Sequence, residues 1–323
     1  MSSGEQRFVL TRPFGGFNDM LCQLETAWRY CERYGRVMVL DSSDAGMLDD
    51  LTRYYSVLPA FRDRIVTLAD VGWTVTAGAD ATDCVDSAGT SVFARAWGRD
   101  ARVDLAVDLA DRVVLHASSG GGDLGVHFLE KLVLRDEVKA HLAERIAPLG
   151  GGYTALHIRN TDWETDYVSA FAAARRQIKG RKVLVCSDDS RALQYFDETY
   201  GGMCRFHTTS GLNNVDGRPL HYAEGRDVYQ TNLEMLTDVY ALAMGRRICM
   251  VDTYGTKRSG FAVLAAHMLR RIHPLGAANA FDLGPRVPNY LRSLMGGTMF
   301  RVFRVREIRP APDAKHFCHV TYE

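Results

Sequence analysis

The sequence predicts an α/β protein made of two Rossmann-type halves, each with a parallel, doubly wound sheet. Near the start, a strand-like run is followed by a glycine-rich loop, a helical pattern and a second apolar strand. Beyond a linker at 148–152 that contains proline and glycine, strand-like runs alternate with helical patterns as far as residue 271. This alternation indicates β-α units, because parallel neighbouring strands need a crossover helix between them.

The length supports two domains. The chain has 323 residues, which is long for a single domain of average size. We predict a Rossmann-like domain at 1–149, a second Rossmann-like domain at 150–275, and a C-terminal tail at 276–323 that packs back on the domains. The boundary is placed in the linker because proline and glycine interrupt regular structure there.

The composition excludes several functional classes. Lys plus Arg and Asp plus Glu both number 39, so the formal net charge is zero and no general basic field attracts nucleic acid. No apolar run is long enough to span a bilayer, and the start lacks the apolar core of a signal peptide. The seven cysteines are scattered without a Cys-x-x-Cys pair, which is typical of reduced thiols. We therefore expect a cytoplasmic protein with no integral membrane segment and no nucleic-acid partner.

Hydrophobic periodicity predicts the individual elements. In the first half, the predicted strands are 7–11, 37–41, 64–68, 73–76 and 113–116. The first predicted helix has Leu21, Leu24, Trp28 and Cys31 on one face and ends at Gly35. Two more helices are predicted at 124–134 and 136–146. In the second half, the predicted strands are 153–158, 182–186, 204–207, 247–251 and a tail segment at 299–308, and the predicted helices are 166–178, 190–200, 232–244 and 260–271.

The first candidate motif is the loop Gly15-Gly16-Phe17-Asn18, which precedes a helix. Backbone amides at a helix N-terminus attract anions, and glycine lets a ligand approach them closely. A tight turn with an Asn cap is an equally good local interpretation. The dinucleotide fingerprint G-x-G-x-x-G is not matched, since no third glycine follows at the required spacing. A dehydrogenase is therefore the least favoured class.

The second candidate motif ends the strand that opens the second half. His157 and Arg159 are separated by one residue, so both side chains point to the same face of a strand, with Thr161 and Asp162 just beyond. In α/β sheets, ligands bind at the carboxyl ends of the strands. A permanently charged guanidinium there suits a phosphate-bearing ligand. Taken singly, His157 is also compatible with a core histidine and Arg159 with an ion pair to Asp162 or Asp188.

Carboxylates follow the next strand. Asp188 and Asp189 are adjacent, so we expect one to orient a neighbouring group and the other to cap the helix that begins at Ser190. A metal that grips a diphosphate needs a D-x-D or similar carboxylate cluster, and no D-x-D occurs in the chain. This favours a metal-free site in which Arg159 supplies the countercharge to phosphate.

Two further positions suit a nucleotide. Asp238 lies in an otherwise apolar helical run, and a buried carboxylate needs hydrogen-bond donors such as the two N–H groups of a guanine edge. An exposed helix residue is the alternative. The turn after the next strand is rich in hydroxyls and glycine and leads into a helix, so Thr256 and Ser259 suit phosphate oxygens.

The order of these motifs resembles the GDP-fucose-dependent fucosyltransferases. The resemblance rests on GGFN before a helix, LHIRNTD, VLVCSDD, the Asp-led helix, and the hydroxyl-rich turn into SGF. The segments ETAWRYCERYGRVMVLD and FLEKLVLRDEVKAHL add to it. The similar branches are the rhizobial nodulation-factor and core α1,6-fucosyltransferases, with protein O-fucosyltransferases more distant. The resemblance covers most of the chain outside about 42–120 and the tail.

The resemblance implies a GT-B-like fold with two Rossmann-type domains facing a central cleft. It implies an inverting transfer of fucose from GDP-fucose to a glycan or oligosaccharide acceptor, without a metal or other cofactor, with the acceptor side in the first domain and the donor in the second. Carried over by position, Arg159 contacts the β-phosphate, His157 and Asp238 the guanine, and Thr256 or Ser259 the phosphates. Gly16, Phe17 and Asn18 close the site from the first domain, with Asp162, Asp188 and Asp189 in supporting positions.

The sequence also departs from the family. Many relatives have a second arginine where this chain has Asn160, and one branch has a glutamate where this chain has Gly15. The general base must then come from elsewhere, and Glu164 and Asp166 are the candidates. Two alternatives stay open: a glycosyltransferase of this fold that uses another nucleotide sugar, and a non-catalytic module that binds a nucleotide sugar or a glycan.

Overall fold

The computed structural model describes residues 5–78, 80–160, 165–209, 227–253, 257–271, 306–308 and 319–322. The chain divides into two compact units, Met1–Arg135 and Asp136–Glu323. The sequence placed the boundary at 149/150. The helix Asp136–Ile146 belongs to the second unit because it packs on the helix Val228–Met244.

The first unit is built around a parallel sheet. Its strands are Phe8–Thr11 (β1), Val37–Leu40 (β2), Tyr55–Val57 (β3), Ile65–Thr67 (β4), Thr74–Ala77 (β5), Ala81–Val85 (β6), Trp97–Gly98 (β7), Val113–His116 (β8) and Leu132–Leu134 (β9). Its helices are Phe17–Tyr34 (α1), Leu68–Val71 (α2) and Gly125–Leu129 (α3). The main sheet has the order β4-β2-β1-β8, and all of its pairs are parallel.

The region 42–117 differs from a simple Rossmann pattern. Strands β5, β6 and β7 form a small antiparallel sheet, and its Cys84 and Trp97 share a hydrophobic core with Leu10 and Leu115 of the main sheet. The strands β3, β6 and β7 were not predicted. They are short and half-exposed, so they lack the long apolar runs that mark buried strands.

The predicted helix 124–134 is wrong in its second half. A helix covers Gly125–Leu129, and Leu132–Leu134 is a strand that pairs antiparallel with β3. Leu132 and Leu134 are buried and alternate with the half-exposed Val133, which is the period of two expected of a strand. The apolar residues at both ends of the segment had suggested one helical stripe.

The second unit contains a larger sheet that begins with parallel strands. Its strands are Thr154–Ile158 (β10), Lys182–Ser187 (β11), Arg205–His207 (β12), Arg247–Thr253 (β13), Lys257–Arg258 (β14), Arg306–Ile308 (β15) and His319–Tyr322 (β16). Its helices are Asp136–Ile146 (α4), Tyr167–Ile178 (α5), Ser190–Tyr200 (α6), Val228–Met244 (α7) and Gly260–Arg271 (α8). The parallel part has the order β12-β11-β10-β13. The α/β class with parallel sheets is therefore confirmed in both units.

Helices cover both faces of this sheet. Leu156 and Ile158 of β10 share a core with α5 and α6, whose Phe171 and Phe196 are fully buried. On the other face, α7 packs on β10 and β11 and against α8. The helix α7 begins at Val228, four residues before the predicted start at Asn232, because Asp227 caps it by accepting a hydrogen bond from the Gln230 amide.

The tail returns to the second unit. Strand β16 pairs antiparallel with β13, and β15 pairs antiparallel with β16. Of the predicted strand at 299–308, the structure describes Arg306–Ile308 only. Within the described residues, no helix is both long and apolar enough to cross a membrane.

Candidate functional site

The carboxyl edge of the second sheet brings chemically active side chains together. His157 of β10 lies in register between Cys186 of β11 and Met250 of β13. Its ring packs against Phe261 of α8 in a tilted arrangement, with the ring centroids 5.3 Å apart and an interplanar angle of 32°. Burial, with a smaller effect from the Arg159 charge, lowers the pKa of His157 to about 3. The ring is therefore neutral near pH 7 and offers one hydrogen-bond donor and one acceptor.

Asp238 is buried on α7, with 8% of its surface exposed. The alternative of a solvent-exposed helix residue is therefore wrong. Its Oδ1 accepts a hydrogen bond of 2.6 Å from the hydroxyl of Thr209, the residue that follows β12 closely. Burial, and then the Asp238 charge, raises the pKa of the Cys186 thiol well above its usual range. Thr209 and Cys186 were not predicted, and no pattern in the sequence links them to Asp238.

Ser259 lies directly before α8, and only 7% of its surface is exposed. Its backbone carbonyl accepts a hydrogen bond of 3.0 Å from the Val263 amide, which makes it the cap position of that helix. Within the described part of the chain, its hydroxyl has no hydrogen-bond partner. A buried hydroxyl without a partner is costly and requires an explanation. The other predicted phosphate contact, Thr256, lies outside the described residues.

Arg159 follows β10 directly and is half-buried, and the backbone around it is held by a ring of hydrogen bonds. The Asn160 amide donates to Asp188 Oδ1 at 2.7 Å, and the Asn160 side-chain Nδ2 donates to Asp189 Oδ2 at 2.6 Å. The Thr165 amide donates to Asn160 Oδ1 at 2.7 Å, and the Thr165 hydroxyl donates to the Arg159 carbonyl.

The two adjacent aspartates have the two different tasks expected of them. Asp188 orients the Asn160 backbone. Asp189 caps α6 by accepting a 2.9 Å hydrogen bond from the Arg191 amide. Both expectations are confirmed.

The remaining candidate carboxylates divide between described and undescribed positions. Asp166 is exposed and caps α5, accepting a hydrogen bond of 3.0 Å from the Ser169 amide. Asp162 and Glu164 lie outside the described residues. Among the residues that are described, no group of three or more His, Cys, Asp or Glu side chains lies together as a metal site.

The glycine-rich loop of the first unit is tightly packed. Gly15 has a φ of 99°, a left-handed conformation that favours glycine. Its carbonyl accepts a 2.7 Å hydrogen bond from the Gly46 amide, and a Cβ on Gly46 would lie 2.6 Å from that carbonyl oxygen. Gly16 is the cap residue of α1, so the alternative of an Asn cap is wrong. Phe17 and Asn18 are buried, and the Asn18 side chain donates to the Gly122 carbonyl at 3.1 Å.

Several polar residues at or near the carboxyl edge of the first sheet were missed. Arg12 is buried and forms ion pairs with Asp41 at 2.6 Å and Asp44 at 2.7 Å. Thr11 and His116 lie opposite each other on neighbouring strands. Neither the Thr11 hydroxyl nor either ring nitrogen of His116 has a hydrogen-bond partner in the described structure. The available signal was position, because Arg12, Asp41 and His116 each stand at the end of a predicted strand.

Comparison with known proteins gives the fold but no sequence family. No protein family model matches the chain, and no curated protein sequence matches it. Solved structures do match. The fucosyltransferase NodZ from Bradyrhizobium matches with a TM-score of 0.54 and 15% identity over 81% of this chain and 93% of that one.

Two further structures support this result. NodZ alpha-1,6-fucosyltransferase soaked with GDP-fucose gives a TM-score of 0.52 at 16% identity, over 82% of this chain and 93% of that one. POFUT1 in complex with GDP gives 0.50 at 11% identity, over 84% and 97% respectively. The predicted GT-B-like fold class is thereby confirmed, and so is the resemblance to GDP-fucose-dependent fucosyltransferases at the level of the fold.

The buried His116 predicts a specific acid sensitivity. Burial lowers the pKa of His116 from 6.5 to about 4. Between these pH values the unfolded chain binds a proton at this residue and the folded chain does not. The contribution of His116 to the free energy of unfolding is therefore fully present above pH 6.5 and is lost as the pH drops toward 4. The slope from this one group is up to about 1.4 kcal/mol per pH unit.

We expect His116→Leu to reduce the loss of unfolding free energy between pH 6.5 and 5, measured by urea denaturation. Thr11→Val is the matched control, because it replaces a buried polar group that lies opposite His116 and carries no titratable proton in this pH range. It should leave the slope unchanged. Equal slopes for wild type and His116→Leu would show that His116 does not titrate in this way.

Proposed function

We propose that this protein is an inverting, metal-independent glycosyltransferase that moves fucose from GDP-fucose to a glycan or oligosaccharide acceptor. The observation that carries the proposal is the buried hydroxyl of Ser259 at the start of α8, which has no partner among the described residues. Helix N-termini bind phosphate through their free amides. The fold shared with NodZ and POFUT1 supports the same conclusion.

Arg159 is proposed to stabilise the leaving group. Arg159 follows β10 directly, and Ser259 follows β14, which pairs antiparallel with the end of β13, the parallel neighbour of β10. Both residues therefore belong to the same sheet edge. Negative charge grows on the departing GDP as the bond to the sugar breaks. A fixed guanidinium and the amides of α8 therefore stabilise the transition state more than the ground state. Under this proposal they take the place that a divalent cation has in metal-dependent enzymes.

Asp238 and His157 are proposed to hold the guanine. Asp238 is a buried carboxylate with one oxygen already bonded to Thr209. The N1–H and N2–H donors of guanine complement a carboxylate, whereas the uracil edge has one donor and adenine lacks N1–H. The neutral ring of His157 adds one donor and one acceptor on the same face of the sheet.

The general base is proposed to be a carboxylate just beyond Arg159. Inversion requires only that the acceptor hydroxyl attacks from the face opposite GDP while a base accepts its proton. Glu164 and Asp166 are the candidates. Asp166 accepts one hydrogen bond from the Ser169 amide as the cap of α5. Donor contacts by Gly16, Phe17 and Asn18 stay a prediction of the resemblance.

Turnover of GDP-fucose tests the proposal. We expect release of GDP from GDP-fucose in the presence of an acceptor found by screening a panel of oligosaccharides. Arg159→Ala should lower kcat by about 100- to 1,000-fold, as for loss of one preorganised transition-state contact. Arg159→Lys should be intermediate because it keeps the charge but not the planar fork.

Arg176→Ala is the matched control, since Arg176 is an exposed arginine on α5 and its loss should leave kcat unchanged. Absence of GDP release with every acceptor, together with no binding of GDP in calorimetry, would refute the proposed function. GDP binding without turnover would instead support the non-catalytic alternative.

Asp238→Asn tests the base preference. The side-chain oxygen of asparagine can still accept the hydrogen bond from Thr209. Its NH₂ group would face the N–H donors of guanine, so the proposed hydrogen bond to the base is lost. We expect the affinity for GDP to fall by about 10- to 100-fold, as for loss of a hydrogen bond to a charged group, with the preference for GDP over UDP reduced. Asp227→Asn on the same helix makes the same charge change while keeping a cap, and should bind GDP normally. No preference for GDP in the wild type would favour another nucleotide sugar.

The base can be identified with two isosteric variants. Asp166→Asn keeps the cap of α5 but cannot accept a proton, and Glu164→Gln makes the matching change at the second candidate. One of the two variants should lower kcat by about 100- to 10,000-fold, and its activity should no longer depend on a group titrating on the acidic side of the pH profile. Full activity in both would show that the base lies elsewhere.

A further inference from the structure

Asn160 forms hydrogen bonds to three other residues at the carboxyl edge of the sheet. Its backbone amide, its Nδ2 and its Oδ1 bind three different residues, at distances of 2.6–2.7 Å. These partners lie after β11 (Asp188 and Asp189) and shortly before α5 (Thr165). One residue therefore links separate parts of the chain beside Arg159.

Only an amide side chain of this length satisfies both of its partners. Asp189 is a carboxylate and needs a donor, while the Thr165 amide needs an acceptor. Asparagine supplies one of each, aspartate supplies acceptors only, and arginine supplies donors only. The arginine of the resembling family at this position would therefore leave the Thr165 amide without its present partner.

Burial makes the Asp189 contact strong. Asp189 is 2% exposed. Burial opposes its ionisation, but hydrogen bonds from Arg191 and Asn160 outweigh this effect and hold the pKa of Asp189 below its usual value. Charge-assisted hydrogen bonds inside a protein are stronger than neutral ones. The end of the Asn160 side chain is thus anchored to a fixed, charged group.

The anchor is transmitted to Arg159 through the backbone. The Thr165 hydroxyl donates to the Arg159 carbonyl, and Thr165 is itself held by Asn160. The same peptide group, which joins Arg159 to Asn160, donates its N–H to Asp188. The backbone of Arg159 is consequently held at both its carbonyl and its following amide.

We infer that Asn160 is a positioning residue, which sets the backbone of Arg159 through its paired contacts with Asp189 and Thr165. This inference rests on the proposed function for its catalytic consequence. The consequence is geometric: a guanidinium that acts on a leaving group must be placed within a fraction of an ångström, and a displacement of about 1 Å can cost about 100-fold in rate.

An exchange of the two side chains provides the test. In Asn160→Asp, two carboxylates face each other, so the contact with Asp189 is lost. In the double variant Asn160→Asp, Asp189→Asn, the amide and the carboxylate have changed places. Residue 160 still accepts from Thr165, residue 189 donates to residue 160, and the asparagine introduced at position 189 still caps α6. The net charge equals that of the wild type.

We expect Asn160→Asp to lower kcat about 100-fold, with a much smaller change in KM. The double variant should recover at least about tenfold, as contacting pairs with strong coupling do. Gln194→Glu is the matched control, because it makes the same amide-to-carboxylate change at an exposed position of α6, where the amide donates to Glu198 and not to Asp189 or Thr165. It should keep kcat close to the wild-type value. Unchanged kcat in folded Asn160→Asp, or no recovery in the double variant, would overturn the inference.

Hydrogen exchange separates this inference from the proposed function. The Thr165 amide should exchange slowly in the wild type and the double variant and faster in Asn160→Asp. If the wild type does not turn over GDP-fucose, the proposed function fails. Hydrogen exchange still tests whether Asn160 holds the hydrogen bonds around the Arg159 backbone. Faster exchange that the double variant reverses supports the positioning role, and equal protection in all three proteins overturns it.

Discussion

Buried polar groups at the carboxyl edge of a parallel sheet must find hydrogen-bond partners, and the second unit is organised around one of them. Asp189 ends the turn after β11 with its carboxylate almost fully removed from solvent. It is satisfied by the first turn of α6, by Arg191 and by Asn160. One charge therefore fixes the start of a helix and the backbone after the neighbouring strand, which carries Arg159.

The same rule identifies the groups whose partners are missing. Most polar side chains at the two sheet edges are satisfied within the described chain, including Arg12, Asn18 and Asp238. The hydroxyl of Ser259 and the ring of His116 are exceptions. For Ser259, the proposed partner is an anionic ligand, because the residue stands at a helix N-terminus. Burial keeps His116 neutral near pH 7 by lowering its pKa. The energetic cost of burying its ring therefore appears mainly as a loss of folding stability at acidic pH.

Several features of the site were readable from the sequence because they depend on local pattern. Two adjacent aspartates before a helix predict one cap and one orienting group, and the structure confirms both. That His157 and Arg159 share one face stays a prediction from the alternation of side chains on a strand. Strand ends also carry buried polar side chains in the first unit, as Arg12 and His116 show. What failed were short or half-exposed segments. The predicted helix over 124–134 contains a strand, since Leu132 and Leu134 are buried by pairing with β3, which is distant in sequence.

The sequence alone determined the α/β class, the order of most strands and helices of the second unit, and the candidate residues, because periodicity, capping and turn chemistry act over a few residues. Only the tertiary structure decided which groups meet. It joined Asp238 to Thr209, Thr11 to His116, and Asn160 to both Asp189 and Thr165. These contacts connect separate segments, and they exist because strand order and register bring the ends of different strands to the same edge, which no local pattern specifies.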